Sequence, residues 1–431
     1  MIIKISKFKT LGALIIYLLN TIICHSQNLH IKSTNVWNGD GFTVKDVYVN
    51  QGIIVDYKPA MTDTVINAEG QYLLPAFGDY HTHAFTYSIV EAISQSFLSN
   101  GIFYSQDLAN DPIGRLANRD FLERKNTIDV NFANGCITSS YGHPIDGYER
   151  MASGNNWPKN EEERIKLLEN GAMEGRAYYV LDKEKDIEPV MNRLLATQPD
   201  VVKFILWDSE NYDPNNQKSN KGINPKFLPE IVNIAKKYDL EVVVHPETEY
   251  DIEVSIKAGI RQFAHVPFYG YGINGKVDKD YPTLSNTFID LINNTDGIIL
   301  NPTIYRTLLN IKYLPKSKKL TEEQDKLLKA FHIRLLSDLK STNATIALGA
   351  DSPQLNALDE AIYFESLDVF SITALIKMLI NNGNLIYPNR KIGRIEKGYK
   401  ANFFMVDQNP LKKLSHLKNP ILKIKSGKII P

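Results

Sequence analysis

The chain has 431 residues, with 49 basic and 49 acidic side chains and 43% hydrophobic residues. A formal net charge of zero speaks against nucleic acid or an anionic surface as a partner, and the ordinary hydrophobic content fits a soluble globular protein. This length holds one large domain, or one large and one small, with an ample core.

In chain order, the first segment reads as an address and not as fold. Lys4, Lys7 and Lys9 form a basic region, Leu11 to Ile23 a short apolar one, and cleavage after Ser26 would leave a mature chain starting at Gln27. The apolar run is shorter than the ~20 residues a membrane span needs. Residues 1–26 are therefore expected to be a cleaved signal peptide, giving a periplasmic or secreted product without stable membrane insertion. A lipoprotein anchored through Cys24 is the weaker alternative, because Ile23 stands where Gly or Ala is wanted. Cys136 then has no partner for an internal disulfide and reads as a core thiol.

Residues 27–74 and 393–431 carry short alternating segments with Asn-Gly, Asp-Gly and Gln-Gly turns, such as KDVYVNQGIIVDYK and GRIEKGYKANFFMVDQNP. Together they predict one small composite β-sandwich domain built from both ends. Between them, residues 75–392 alternate apolar strands with amphipathic stretches. YLLPAFGD, GIFYSQD, GCITSSYG, DVVKFIL, LEVVVH, RQFAH, GIILNPTI and TIALGAD are strand candidates. EPVMNRLLATQ, FLPEIVNIAKKYD, DIEVSIKAGI, EEQDKLLKAFHIRLLSDLK and VFSITALIKMLINN read as helices. This is an α/β pattern, and a (β/α)8 TIM-like barrel is its natural closure. Residues 144–176, 208–223, 266–283 and 306–321 are expected as long loops over the strand ends.

Five of these places share one grammar: an apolar run ends in a potential ligand. His81 and His83 follow LLPAFGDY, Lys203 sits in DVVKFIL, His245 and His265 end the fifth and sixth strands, and Asp351 ends the eighth. Residues i and i+2 of a strand face the same side, so the two imidazoles of HTH can chelate one metal. His245 and His265 taken singly read as core histidines, and their spacing places them on adjacent strand ends. An inward lysine is costly to bury as a cation. Lys203 is therefore held by a carboxylate, binds substrate, or reacts as a neutral amine. Asp351 can be a ligand, a proton shuttle or a helix cap.

Assembled, these motifs resemble the amidohydrolase superfamily of metal-dependent hydrolases, closest to its imidazolonepropionase-like and Xaa-Pro-dipeptidase-like group. The likeness runs from NVWNGDGF through LLPAFGDYHTH to ILKIKSGKII. It implies a carbamate on Lys203 and two divalent metal ions, zinc by default. His81, His83, Lys203 and Asp351 would surround one metal, and Lys203, His245 and His265 the other. The resemblance also gives His143 a substrate contact. Tyr141, Trp207, Tyr269 and Tyr305 are pocket-wall candidates, whereas His30, His332 and His416 need no function. Departures lie in HPET after the fifth strand and in AHVPFYGYG after the sixth.

The expected activity is hydrolysis of an amide- or peptide-like C–N bond in a small molecule by a metal-bridging hydroxide, with Asp351 moving the proton. A lactonase or esterase on the same site is one alternative. An exported binding protein that has lost catalysis is another. Substrate, native metal and oligomeric state stay open at this point.

Overall fold

The computed structural model describes residues 28–85, 89–124, 126–154 and 158–431. The stretch read as a signal peptide lies outside them. Among the described residues no helix is long and apolar enough to cross a membrane.

Two compact units emerge. The first takes residues up to Pro75 together with Lys391–Asn409 and Asn419–Pro431. Its strands are β1 (Leu29–Trp37), β2 (Phe42–Asn50), β3 (Ile53–Val55), β4 (Thr64–Asn67) and β5 (Tyr72–Pro75) from the amino-terminal end. The carboxyl-terminal end supplies three more: Phe403–Val406, Leu422–Lys425 and Lys428–Ile430. Leu29, Ile31, Val47, Val49, Leu73, Phe403, Met405 and Ile424 form its core. The strands join into one eight-stranded sheet and not two separate ones. The cause is β1, which bonds β2 along one edge and then β4 and β5 in succession along the other. Residues from the two ends meet where Phe403–Val406 pairs antiparallel with β5.

The second unit covers Ala76–Arg390 with Pro410–Lys418. Its strands are β6 (Phe77–Thr82), β7 (Ile102–Asp107), β8 (Asp129–Phe132), β9 (Cys136–Thr138), β10 (Tyr178–Val180), β11 (Val202–Ile205), β12 (Val242–His245), β13 (Gln262–Phe263), β14 (Ile299–Leu300) and β15 (Thr345–Ile346). All pair in parallel, in the orders β6-β7-β8 and β10-β9-β11-β12-β13-β14-β15. Strands β6, β7, β11 and β12 are buried throughout, as expected where both faces of a parallel sheet are covered. Helices Ile187–Leu195, Leu228–Lys237, Glu249–Lys257, Glu322–Lys340 and Ile372–Ile386 fall between or after the strands.

Two strands were not expected. DVNF, now β8, precedes β9 across a kink at Asn134 and Gly135, whose φ angles are 56° and 106°. Tyr178–Val180 adds β10 beside β9. The stretches expected as loops 144–176 and 306–321 also contain helices, Ile145–Ala152, Glu161–Leu168 and Tyr305–Lys312.

Backbone bonds also run between the two sheets. Tyr80 N–H donates to Leu348 O at 2.9 Å and Asp351 N–H to His81 O at 3.0 Å. The Asn382 amide bolts the same seam, donating to Gly78 O at 2.8 Å and Leu348 O at 2.7 Å while accepting from Leu348 N–H at 3.1 Å. Gly349 is required there: a Cβ would come within 2.5 Å of His81 N.

Candidate metal centre

Each candidate ligand sits at or just past the carboxyl end of a buried strand. Asp79, fully buried in β6, accepts from His81 N–H at 3.1 Å and Ala357 N–H at 2.8 Å, which fixes the backbone that presents the HTH pair. The Nδ1 of His81 lies 2.9 Å from Ala264 O and 3.2 Å from Asn301 Oδ1. A carbonyl only accepts, so Nδ1 carries the proton and Nε2 is left as the free donor atom. That Nε2 lies 3.3 Å from His83 Nε2 and 3.4 Å from Asp351 Oδ1, and His83 Nε2 lies 2.8 Å from Asp351 Oδ1. One donor atom from each of these three residues falls within 4.8 Å of the others.

Lys203 belongs to the same cavity, which measures about 650 Å³ and is also lined by His81, His83, His143, His245, His265 and Asp351. Its Nζ is buried and has no hydrogen-bond partner. Burial pushes its pKa down to about 7, against the pull of Asp351. Burial likewise takes His81 and His265 well below the usual histidine range and His245 down to about 3, so all three rings are neutral and able to ligate. Burial alone would raise Asp351, yet His81, His83 and His265 hold it well below the carboxylate range, as an anion. Neutral imidazoles, an anionic carboxylate and an orphaned amine form a donor set that fits divalent metal. Cys136 also lines the cavity, but burial pushes its thiol up to about 12 and leaves it inert.

Around this core, His265 Nδ1 is 2.5 Å from Thr303 Oγ1, and its ring stacks on Tyr269 with centroids 3.9 Å apart. The rings of His245 and His265 meet at 4.4 Å, and His143 sits 4.8 Å from His245 and 5.3 Å from Trp207. None of the four aromatic wall candidates lines the cavity itself: Tyr269 and Trp207 pack behind it on the histidine rings, and Tyr141 and Tyr305 point elsewhere. The Tyr141 hydroxyl donates to Glu169 at 2.7 Å, and Tyr305 packs on Tyr363 at 5.4 Å. His30 and His332 lie elsewhere, beside Asp46 and Tyr363. His416 is on the short 3-10 helix Leu414–Leu417.

Three carboxylates were missed. Asp107, fully buried at the end of β7, points Oδ1 toward His83 Nδ1 at 3.8 Å. Glu247 lies 3.1 Å from His245 Nε2 and accepts from Tyr269 at 3.2 Å. Asp251 accepts from the N–H groups of Ser209, Glu247 and Thr248 at 2.9–3.0 Å, tying the loops after β11 and β12 together. Asp107 ends IFYSQD in the manner of the other ligand strands, and Glu247 stands in the unusual HPET, so both left a trace in the sequence.

Residues 216–430 match the Amidohydrolase family. The chain belongs to that family. Membership makes it a hydrolase acting on carbon–nitrogen bonds, in a family that uses divalent metal. The matched segment of this amidohydrolase contains His245, His265 and Asp351, while the geometry above brings in His81, His83 and Lys203 from outside it. No curated protein matches the amidohydrolase in sequence. Among solved structures, a Xaa-Pro dipeptidase with methionine bound in its active site is 16% identical, with a TM-score of 0.68 over 93% of this chain and 99% of that one. A. niger ochratoxinase is 18% identical, with a TM-score of 0.67 over 94% and 96%. Molinate hydrolase is 13% identical, with a TM-score of 0.65 over 94% and 95%. These likenesses give the amidohydrolase a TIM-barrel-like α/β fold.

Proposed function

We propose that the chain is an exported, binuclear metal hydrolase that cleaves an amide or peptide-like bond in a small molecule. The observation that carries this reading is the convergence of His81, His83 and Asp351 in one cavity with the partnerless Lys203 amine and the rings of His245 and His265. His81, His83, Lys203 and Asp351 would hold one metal, and Lys203, His245 and His265 the other, with zinc in both places. A carbamate on Lys203 would turn this buried, partnerless amine into an anionic oxygen ligand for the metals. To form it, the neutral amine attacks carbon dioxide: an N–C bond forms as one C–O π pair moves onto oxygen, and the proton lost from nitrogen goes to water.

When bound, such a pair supplies water activated at neutral pH and a Lewis acid for the scissile carbonyl. Asp351 takes the proton of the attacking water on a carboxylate oxygen and returns it to the leaving nitrogen. His143 holds or polarises the substrate at a ring nitrogen, and Tyr269 keeps the His265 ring in place. The cavity walls limit water around the bond.

In the same proposal, residues 1–26 are the signal peptide, 75–392 form a closed eight-stranded barrel, and 27–74 with 393–431 form the composite sheet domain. The seam between β6 and the segment just after β15 supports closure. The branching of β1 between β4 and β5 supports a sheet folded over its own core as two layers. The partner is a small molecule and not nucleic acid.

Metal content per chain, measured on protein expressed from Gln27 with zinc and bicarbonate, tests the reading. About two metals, falling in Lys203→Ala, is expected. One metal, unaffected by that change, would make the site mononuclear. No metal would favour a binding protein.

A further inference from the structure

The helix Tyr305–Lys312 begins five residues after β14 and turns one face to the cavity. Arg306, Leu309, Asn310 and, just past the helix end, Tyr313 all line it. These positions are spaced as a single stripe on a helix. Another face anchors the helix: Thr307 Oγ1 donates to Tyr269 O at 2.9 Å, and Tyr269 is the residue stacked on His265. Burial and the nearby Glu247 and Asp351 charges hold the Tyr269 hydroxyl well above its usual pKa, and Arg306 is close enough to oppose them weakly. A guanidinium thus lines the cavity that holds the ligand cluster, on a helix fastened to the residue stacked on His265.

The charges around the cavity do not balance at this point. Its lining carboxylates are Asp111 and Asp351. Asp111 is paired with Arg176 and accepts from Ile113 N–H at 2.9 Å, and Asp351 faces His81 and His83. Among the described residues no carboxylate pairs with Arg306, and its guanidinium makes no hydrogen bond. Five donors in a planar fork, half-buried and open to a cavity, match a carboxylate in two-point contact. Asn310, one turn along, adds an amide donor to the same stripe. Leu309, Met151 and Met173 supply apolar wall for the rest of the molecule.

We infer that Arg306, assisted by Asn310, binds a carboxylate of the substrate, so that the bond cleaved belongs to an N-acyl amino acid or a dipeptide with a free carboxyl end. This rests on the hydrolase reading and narrows it to one class of substrate. Arg306 sets specificity and takes no part in moving the proton.

The test compares N-acetyl-L-methionine and N-acetyl-L-phenylalanine with their carboxamides on the metal-loaded full chain. Binding is read by calorimetry in an Asp351→Asn background, where turnover is slowed, and hydrolysis by product formation with Asp351 intact. The carboxylates are expected to bind about tenfold or more tightly than the carboxamides. Arg306→Gln should erase that preference at an unchanged melting temperature, and Arg306→Lys should restore part of it. Equal binding of acid and amide, no binding of either, or a preference that survives Arg306→Gln overturns the inference. A carboxylate preference without hydrolysis leaves Arg306 in its role and sinks the amide-hydrolase reading. Hydrolysis of acid and carboxamide at equal rates does the reverse.

Discussion

Asp107 Oδ1 and His83 Nδ1 face each other at 3.8 Å, both buried and neither with a hydrogen-bond partner. The gap exceeds hydrogen-bond length, but a carboxylate behind an imidazole is the usual means of orienting a ligand ring and raising its basicity. The other Asp107 oxygen accepts from Phe85 N–H at 2.8 Å, and burial pushes the carboxyl up to about 6.

Asp107→Asn keeps an acceptor for Phe85 and removes the charge behind His83. Metal affinity should fall about 10–100-fold, measured by competition with a chelator, while the melting temperature of metal-free protein stays the same. Unchanged affinity would reduce Asp107 to a structural cap on the Phe85 turn.

Lys203 is a cost to the metal-free fold, since a buried amine without a partner loses its hydration and gains nothing in return. Lys203→Met conserves length and lets the strand pack. In the presence of chelator this variant should unfold at an equal or higher denaturant concentration than wild type, by about 1–2 kcal/mol at most, and it should bind less metal. A less stable variant with full metal content would contradict the role given to the amine.

Asp351 has φ of +48°, a left-handed conformation that Asp and Asn adopt far more readily than most residues. Asp351→Asn should therefore fold normally. Turnover should drop by about 10²–10⁴-fold, the usual worth of a positioned proton carrier. Asp351→Val should lose melting temperature as well, because a β-branched side chain is strained there. Equal thermal stability of the Asn and Val variants would argue against this account of the backbone.

Glu149, on the helix Ile145–Ala152, accepts from Asn170 Nδ2 at 2.7 Å, Ala172 N–H at 3.0 Å, Met173 N–H at 2.8 Å and the Tyr178 hydroxyl at 2.8 Å. Burial alone would raise its pKa, but these donors outweigh burial and hold it below its ordinary value. A folded pKa below the unfolded one, about 4.3, means that its stabilisation is full above that pH and is lost as pH falls through the folded value. Two of the four donors meet each carboxylate oxygen, so Glu149→Gln turns its NH2 group toward two of them and should cost about 2 kcal/mol or more at pH 7. Denaturant titrations should show the two proteins converging in acid. A constant gap from pH 7 to pH 3 would refute this.

The candidate ligand positions were legible because a parallel strand buried on both faces appears as an apolar run, and its polar last residue stands out. LEVVVH and TIALGAD show this plainly. Asp107 follows the same rule, but an aspartate before a loop reads equally well as a turn residue. Strand β10 is only three residues long, too short to show a period. The helix carrying Arg306 was hidden for a different reason. Its N-cap is Ile304, which offers no side-chain hydrogen bond, so no start signal separates it from a loop. That also explains Tyr305, whose place on the first turn directs it to Tyr363 and away from the cavity. The single sheet of the first unit was not visible either, because β1 changes partner from β4 to β5 within one continuous strand.

His81 and Asp351 are 270 positions apart, yet they share a backbone hydrogen bond and a ligand cluster. Both segments must be made and folded before the two residues can meet, so an unfolded chain offers the HTH pair without the carboxylate that completes the cluster. Metal would complete its ligand set only after the strand ends carrying His81 and Asp351 have come together. The compartment where folding is completed would then be the one whose metal pool such a site samples.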